Sequence, residues 1–275
     1  MKKGDQLTLH APIISQPELR NKSLVAGRFI CGDILVRTRR SCIYQGWDIK
    51  KDQSVVLKKP TGKVDSFRVR ELQREGLLLR LNQHPGLLRG EGYVFCHNQH
   101  WLIMAPAPGI LLLDFMKSGG AFQWNKSVRH CFVKSLADSL RQLNERGWYH
   151  GDIKPDNIYV NSLSGEAFLI DFSASDRLEN SKSLCAFSSD WLHPSLLKKS
   201  NGRQVDIYSF ALLIWCLWTG RHPFEKKGVI SFTQSPARWP LRSNWKVWID
   251  GRWLRKRLLK ADALELSELV QRFGV

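Results

Sequence analysis

The stretch that most constrains this chain is WYHGDIKPDNIYV, residues 148–160. It sets Asp152, Lys154 and Asn157 in a short polar loop, between an apolar-periodic segment upstream and a β-rich segment downstream. Leu169-Ile170-Asp171-Phe172 follows soon after. Two carboxylates and an amide from neighbouring loops are the donor set that phosphoryl transfer needs. One base orients a hydroxyl, and oxygen ligands hold magnesium.

Composition permits such a protein without naming it. The 275 residues are 43% hydrophobic, enough for one large or two small cores. With 42 Lys+Arg against 25 Asp+Glu, the net charge of +17 favours acidic partners: nucleic acid, anionic membrane, acidic protein surfaces or phosphate-bearing ligands. Cys31, Cys42, Cys96, Cys131, Cys185 and Cys216 are too widely spaced for a CxxC-type metal cluster. Several lie in apolar runs, which predicts reduced thiols in a reducing compartment. The opening residues lack an apolar core of signal-peptide length. The longest apolar run, residues 210–218, is about half of what a bilayer requires. The expectation is a soluble, cytoplasmic protein without a transmembrane segment.

Residues 1–26 carry Pro12, Pro17 and scattered charge without a period, and read as an N-terminal extension. From 28 to 57, short apolar and β-branched runs broken by polar turns predict three antiparallel strands, the third closed by Lys58. A helix is predicted over 64–82, with Leu72, Glu75, Leu78, Leu79 and Leu81 on or beside one face. A carboxylate on that inner face needs a cation, which Lys58 can supply; Glu71, one turn earlier, is the competing partner. His84-Pro85 ends this helix, and strands are expected at 92–96 and 101–104. In the linker Ala105-Pro106-Ala107-Pro108-Gly109, Ala107 keeps an N–H between two prolines that have none. Beyond this boundary, helices are predicted over 111–116, 127–146 and 205–218, with a polar, serine-rich segment at 173–190. The final stretch, 239–260, interleaves Trp239, Trp245, Trp248 and Trp253 with Arg242, Lys246, Arg252, Arg255, Lys256 and Arg257. Such a pattern serves nucleic acid or anionic lipid headgroups, and it equally caps a core while the charges face water.

In order and spacing, these pieces resemble the protein kinase-like superfamily, Ser/Thr protein kinase type, from about Arg28 onward. The resemblance implies an α+β, bilobal protein-kinase-like fold. Its N-lobe would be a small antiparallel β-sheet with one helix (27–105), joined by a hinge at 106–109 to a larger, mostly helical C-lobe (110–275) shortened after its long apolar helix. It implies phosphoryl transfer from ATP, with Mg2+ or alternatively Mn2+, to Ser/Thr hydroxyls of a protein substrate. Asp152 would be the catalytic base. Lys154, the mark of the Ser/Thr type, would stabilise the transferred phosphate, and Ser188 stands where such kinases carry a threonine. Lys58 would position the α/β phosphates with Glu75 as its partner, since Glu75 lies ten residues before Pro85. Asn157 and Asp171 would hold the metal, and Asp206 would tie down the catalytic-loop backbone. Adenine would pair with the Ala105 carbonyl and the Ala107 N–H, with Met104 as gatekeeper and Ile43, Val56 and Tyr159 lining the site.

The chain also departs from that pattern. The three glycine positions of the phosphate loop are Val36, Thr38 and Ser41, with Arg37, Arg39 and Arg40 between them. Either an arginine takes over the phosphates, or the loop is a lifted, solvent-facing basic turn. Gly151 replaces the arginine that receives a phosphorylated activation loop, which predicts activity without phosphorylation at Ser183, Ser188 or Ser189. Ser173 replaces a hinge glycine, predicting a stiffer segment. Ser195 replaces a glutamate whose arginine partner is also missing, near Leu266. The rival readings are a pseudokinase scaffold, favoured by the missing glycines, and a small-molecule phosphotransferase of the aminoglycoside-kinase type. The latter shares His-Gly-Asp and is opposed by Lys154.

Overall fold

The computed structural model describes residues 23–180, 188–199, 201–239, 245–261 and 264–274. Ser183, Cys185 and Arg242 lie outside the described residues, as do positions 1–22. The chain divides into two compact units, one running to Gln83 and including Leu88–Ile110, the other comprising His84–Leu87 and the chain from Leu111.

The first unit is built on a six-stranded antiparallel sheet. Its strands are β1 (Ser23–Val25), β2 (Phe29–Arg37), β3 (Ser41–Asp48), β4 (Gln53–Pro60), β5 (Gly90–Cys96) and β6 (Gln99–Met104), in the order β1-β2-β3-β4-β6-β5. The sheet starts earlier than the sequence reading placed it. Ser23–Val25, assigned there to the extension, pairs with Phe29–Cys31 across a turn in which Ala26 and Gly27 have φ of 52° and 65°. A three-residue strand is too short to display a period, which is why it escaped notice.

Alternation along β4 separates the two faces of this sheet. Val55 and Leu57 join Val25, Phe29, Cys31, Trp101 and Ile103 in one buried cluster. Val56 and Lys58, one residue out of phase, belong to the opposite face. The helix α1 (Ser66–Leu81) begins at Asp65, whose side chain accepts the Arg68 N–H at 2.9 Å. It approaches β5 so closely that a Cβ on Gly76 would lie 2.5 Å from the Tyr93 nitrogen.

The two-residue strand β7 (Ile110–Leu111) carries the chain from the first unit into the second, where α2 (Leu112–Lys117), α3 (Gly120–Gln123) and α4 (Lys126–Glu145) follow. Short strands follow: β8 (Trp148–Tyr149), β9 (Ile158–Val160), β10 (Ala167–Leu169) and β11 (Asp176–Arg177). β9 pairs with β10, and β8 with β11, all antiparallel. After α5 (Leu196–Lys199) comes α6 (Gly202–Thr219), in which every residue from Val205 to Leu217 is buried. A helix apolar on all sides must be a core element. Asn201 caps its start by accepting the Gln204 N–H, and Gly220 ends it at φ 75°. The hairpin β12 (Glu225–Lys226) and β13 (Val229–Ile230) precedes α7 (Trp245–Lys260) and α8 (Leu266–Phe273).

The tryptophan-rich stretch packs inward at Trp239. Its ring meets Trp215 edge-on at 4.9 Å, and a Cβ on Gly251 would run into it. Trp248 and Trp253 are half-buried and carry stacked guanidiniums: Arg252 on the first at 4.6 Å, Arg257 and Arg272 on the second at 5.6 and 4.4 Å. Arg272 also bonds the buried Asp250 at 2.7 Å, joining α8 to α7. Ser195 is exposed and bonded to the His193 ring, and Leu266 opens α8, so the lost glutamate and its missing arginine leave no stranded charge. Cys42, Cys96, Cys131 and Cys216 are free thiols. Among the described residues, no helix is long and apolar enough to cross a membrane.

Gly76→Ala should lower stability by about 1–3 kcal/mol, because the added methyl meets backbone that cannot turn aside. Denaturant unfolding against the unsubstituted chain measures it.

Candidate active site

The polar loop after β8 is held from below by α6. The buried Asp206 carboxylate accepts the His150 N–H at 2.7 Å and the Gly151 N–H at 2.8 Å. Ser175, fully buried, donates its hydroxyl to the His150 carbonyl at 3.0 Å. The His150 ring sits against Phe172 at 5.4 Å. Its Nδ1 accepts the Asp152 N–H, so Nε2 carries the proton and donates to the Ile170 carbonyl at 3.0 Å. Burial lowers the imidazole pKa and keeps it neutral. Gly151 has φ of 85°, and a Cβ there would stand 2.5 Å from the Ala174 carbonyl oxygen. No side chain fits without displacing that segment.

Four predicted residues converge on this loop. Asp152 Oδ2 accepts from Lys154 Nζ at 2.6 Å and from Asn157 Nδ2 at 3.0 Å, while Oδ1 accepts the Ser188 N–H at 3.1 Å. Lys154 Nζ also donates to the Ser188 hydroxyl at 2.7 Å. Asn157 Nδ2 donates a second time, to the Asp152 carbonyl at 2.8 Å. With its amide nitrogen committed to Asp152, Asn157 presents Oδ1 as the end available to a hard cation.

Asp171 is half-buried and held in the left-handed region at φ 60°, ψ 78°, a conformation that costs a non-glycine residue about 1–3 kcal/mol. The preceding Ile170 N–H bonds the Asn157 carbonyl at 3.0 Å, and Phe172–Ala174 form a single tight turn closed by Ser175. Among the described residues no group of three or more His, Cys, Asp or Glu side chains forms a metal cage. One amide and one carboxylate oxygen suit magnesium, which keeps water and phosphate oxygens in its shell.

In the first unit, Lys58 Nζ reaches both Glu75 oxygens at 2.9 and 3.2 Å, and both residues are buried. Glu71 instead receives Arg40 Nη2 at 3.2 Å, which settles the competition between the two glutamates. Met104 is buried; Ile43, opposite Lys58 in the β3–β4 register, and Val56 are half-buried. The Ala105 N–H bonds the Arg89 carbonyl at 2.8 Å. Among the described residues, the Ala105 carbonyl and the Ala107 N–H have no partner, the state that adenine pairing requires. Tyr159 is half-buried in β9 of the second unit, and burial raises its phenol pKa.

The arginine turn faces solvent, with Arg37, Arg39 and Arg40 all exposed, and it carries internal bonds that neither sequence reading included. Thr38 Oγ1 accepts the N–H groups of Arg40 at 3.2 Å and Ser41 at 2.9 Å, and the Thr38 N–H bonds the Ser41 carbonyl at 2.8 Å. The Thr38, Arg40 and Ser41 amides, at and between the positions of a glycine-rich loop, are thus satisfied inside the turn. Arg40 is engaged with Glu71, while Arg37 and Arg39 are exposed. Neither Thr38 nor Ser175 was singled out from sequence. A threonine two and three residues ahead of the amides it caps was the available signal for the first.

The protein kinase domain model matches residues 37–261. The chain belongs to the protein kinase family. It is 24% identical to protein kinase kin1 of Schizosaccharomyces pombe over 228 residues, covering 81% of this chain and 25% of that protein. To Aurora kinase A-A of Xenopus laevis it is 30% identical over 158 residues, 56% of this chain and 38% of the relative. To CBL-interacting protein kinase 10 of Oryza sativa subsp. japonica it is 23% identical over 279 residues, 90% and 57% of the two. The kinase chain thus spans between a quarter and somewhat over half the length of these relatives.

Burial pushes the Asp206 carboxyl up to about 7, against the pull of its two amide donors. Between about pH 4 and 7 the folded state therefore holds a proton that the unfolded state releases. Asp206's contribution to stability is fully present below that window and is lost as pH rises through 7, with a slope of at most about 1.4 kcal/mol per pH unit. Asp206→Asn should flatten this part of the profile, as measured by denaturant unfolding from pH 4.5 to 7.5.

Proposed function

We propose that this kinase transfers the terminal phosphoryl group of ATP, with magnesium, to serine or threonine hydroxyls of protein substrates. The observation that carries the reading is the Asp152–Lys154–Asn157–Ser188 cluster, where one ammonium bonds both the Asp152 carboxylate at 2.6 Å and the Ser188 hydroxyl at 2.7 Å. Asp152, oriented by Asn157, would accept the proton of the attacking hydroxyl. Lys154 would stabilise oxygens of the transferred phosphate, and its hold on Ser188 shows an ammonium able to reach a hydroxyl beside Asp152.

Lys58, fixed by Glu75, would hold the α/β phosphates. Asn157 Oδ1 and the Asp171 carboxylate would hold magnesium, which supplies positive charge against the phosphates when bound. The Ala105 carbonyl and Ala107 N–H would take adenine, with Met104 as gatekeeper and Ile43 and Val56 lining the site. Because Gly151 admits no side chain, the loop has no arginine to read a phosphorylated activation segment, and activity would not require one. The net charge of +17 favours acidic protein substrates, and the free thiols suit a reducing, cytoplasmic setting. The closed Thr38 turn favours one second reading, a catalytically weak pseudokinase, since it withholds the usual amides from phosphate.

Incubation with labelled ATP, magnesium and an acidic protein mixture separates the two. Asp152→Ala and Asp171→Ala should each lower transfer by about 10²–10⁴-fold. An unsubstituted chain no more active than Asp152→Ala would leave the scaffold reading standing. Phosphatase treatment of the active protein should leave its rate unchanged.

A further inference from the structure

Two glutamates one turn apart on α1, Glu71 and Glu75, each receive a cation from a different part of the same sheet. Lys58 comes from β4. Arg40 comes from the turn between β2 and β3. Residues four apart share a helix face, so any rotation of α1 about its axis moves both carboxylates together.

The turn that presents Arg40 is stiff. Besides the Thr38 bonds, the Thr61 N–H holds the Arg40 carbonyl at 2.9 Å and the Thr61 hydroxyl holds the Arg39 carbonyl at 2.7 Å. Arg68, in the first turn of α1, donates to the carbonyls of Arg40 and Thr61. The start of α1 is thereby tied to the turn through backbone, and one turn later it is tied again through Arg40–Glu71. A glycine-rich loop, whose amides face a ligand and whose backbone moves freely, could not serve as such an anchor.

We infer that Arg40 is a positioning residue: with Glu71 it sets the rotation of α1 and so keeps Glu75 on Lys58. This rests on the proposed role of Lys58 in holding phosphates, and it replaces direct contact of Arg40 with those phosphates. The Arg40 side chain is 61% exposed and Glu71's is 9%, so the pair adds little to global stability. Its effect is on orientation. The pairing that aligns the nucleotide lysine then has a support within the first unit itself.

The test reads Lys58 directly. The nucleotide-free chain is acylated with a small amine-reactive reagent, and Lys58 modification is followed by mass spectrometry. Arg40→Ala and Glu71→Gln should each speed Lys58 labelling several-fold, Arg40→Lys should restore the original rate, and the double variant Arg40→Ala/Glu71→Gln should be no faster than either single one. Binding of Mg-ATP, measured in parallel, should weaken equally in the two single variants. Unchanged labelling in both singles overturns the inference. So does weaker Mg-ATP binding in Arg40→Ala with normal binding in Glu71→Gln, which would mean direct phosphate contact. Because labelling needs neither nucleotide nor turnover, an unsubstituted chain that binds no Mg-ATP but whose Lys58 responds to Arg40→Ala would sink the proposed function and leave the positioning role intact.

Discussion

A single buried carboxylate organises the chemistry of this kinase. Asp206 projects from the fully buried helix α6 and accepts two consecutive backbone amides, those of His150 and Gly151. Desolvating this carboxyl outweighs the pull of its two amide donors, and what they recover is recovered only while both amides stay aligned. The loop therefore has one favoured arrangement. His150 then turns its ring onto Ile170 and Asp152, Ser175 closes on the His150 carbonyl, and Asn157 ties back to Asp152. The Asp152 carboxylate is placed by backbone geometry that begins in the hydrophobic core.

The first unit solves a parallel problem by different means. Its lysine is also set by a buried carboxylate, but Glu75 rides on a helix that the sheet must hold in register. Close packing of Gly76 on Tyr93 fixes the distance between helix and sheet, and the Thr38–Ser41 turn adds a fixed point at the helix's first turns. With valine, threonine and serine at the three glycine positions, the backbone of this turn is put to a different use. Amides that elsewhere would face a ligand are consumed in making the turn rigid.

Much of this was legible from residue order. The long helices, the strand ending in Lys58, and the grouping of Asp152, Lys154 and Asn157 follow from periodicity and from motif spacing, whereas Ser188 entered only through the family resemblance. The pairing of Glu75 rather than Glu71 with Lys58 was legible only through family spacing, because both glutamates are buried on one face and periodicity cannot rank them. β1 was invisible because three residues carry no period. The closed turn was missed for a subtler reason: threonine and arginine were read by what they lack relative to glycine, not by the bonds a threonine hydroxyl makes to amides just ahead of it. The tryptophan and arginine stretch allowed two readings, and for Trp239 the ring-on-ring packing against Trp215 selects the one in which it closes a core.

The narrow space at Gly151 has a further consequence for how this kinase can change over time. With the Ala174 carbonyl 2.5 Å from where a Cβ would stand, and a backbone of positive φ, no single codon change can install an arginine there and leave the loop in place. Placing an arginine there would demand a coordinated shift of residues 172–175, which carry the buried Phe172 and Ser175. A charge at this point of the loop is therefore closed off by packing well before any question of what it would bind.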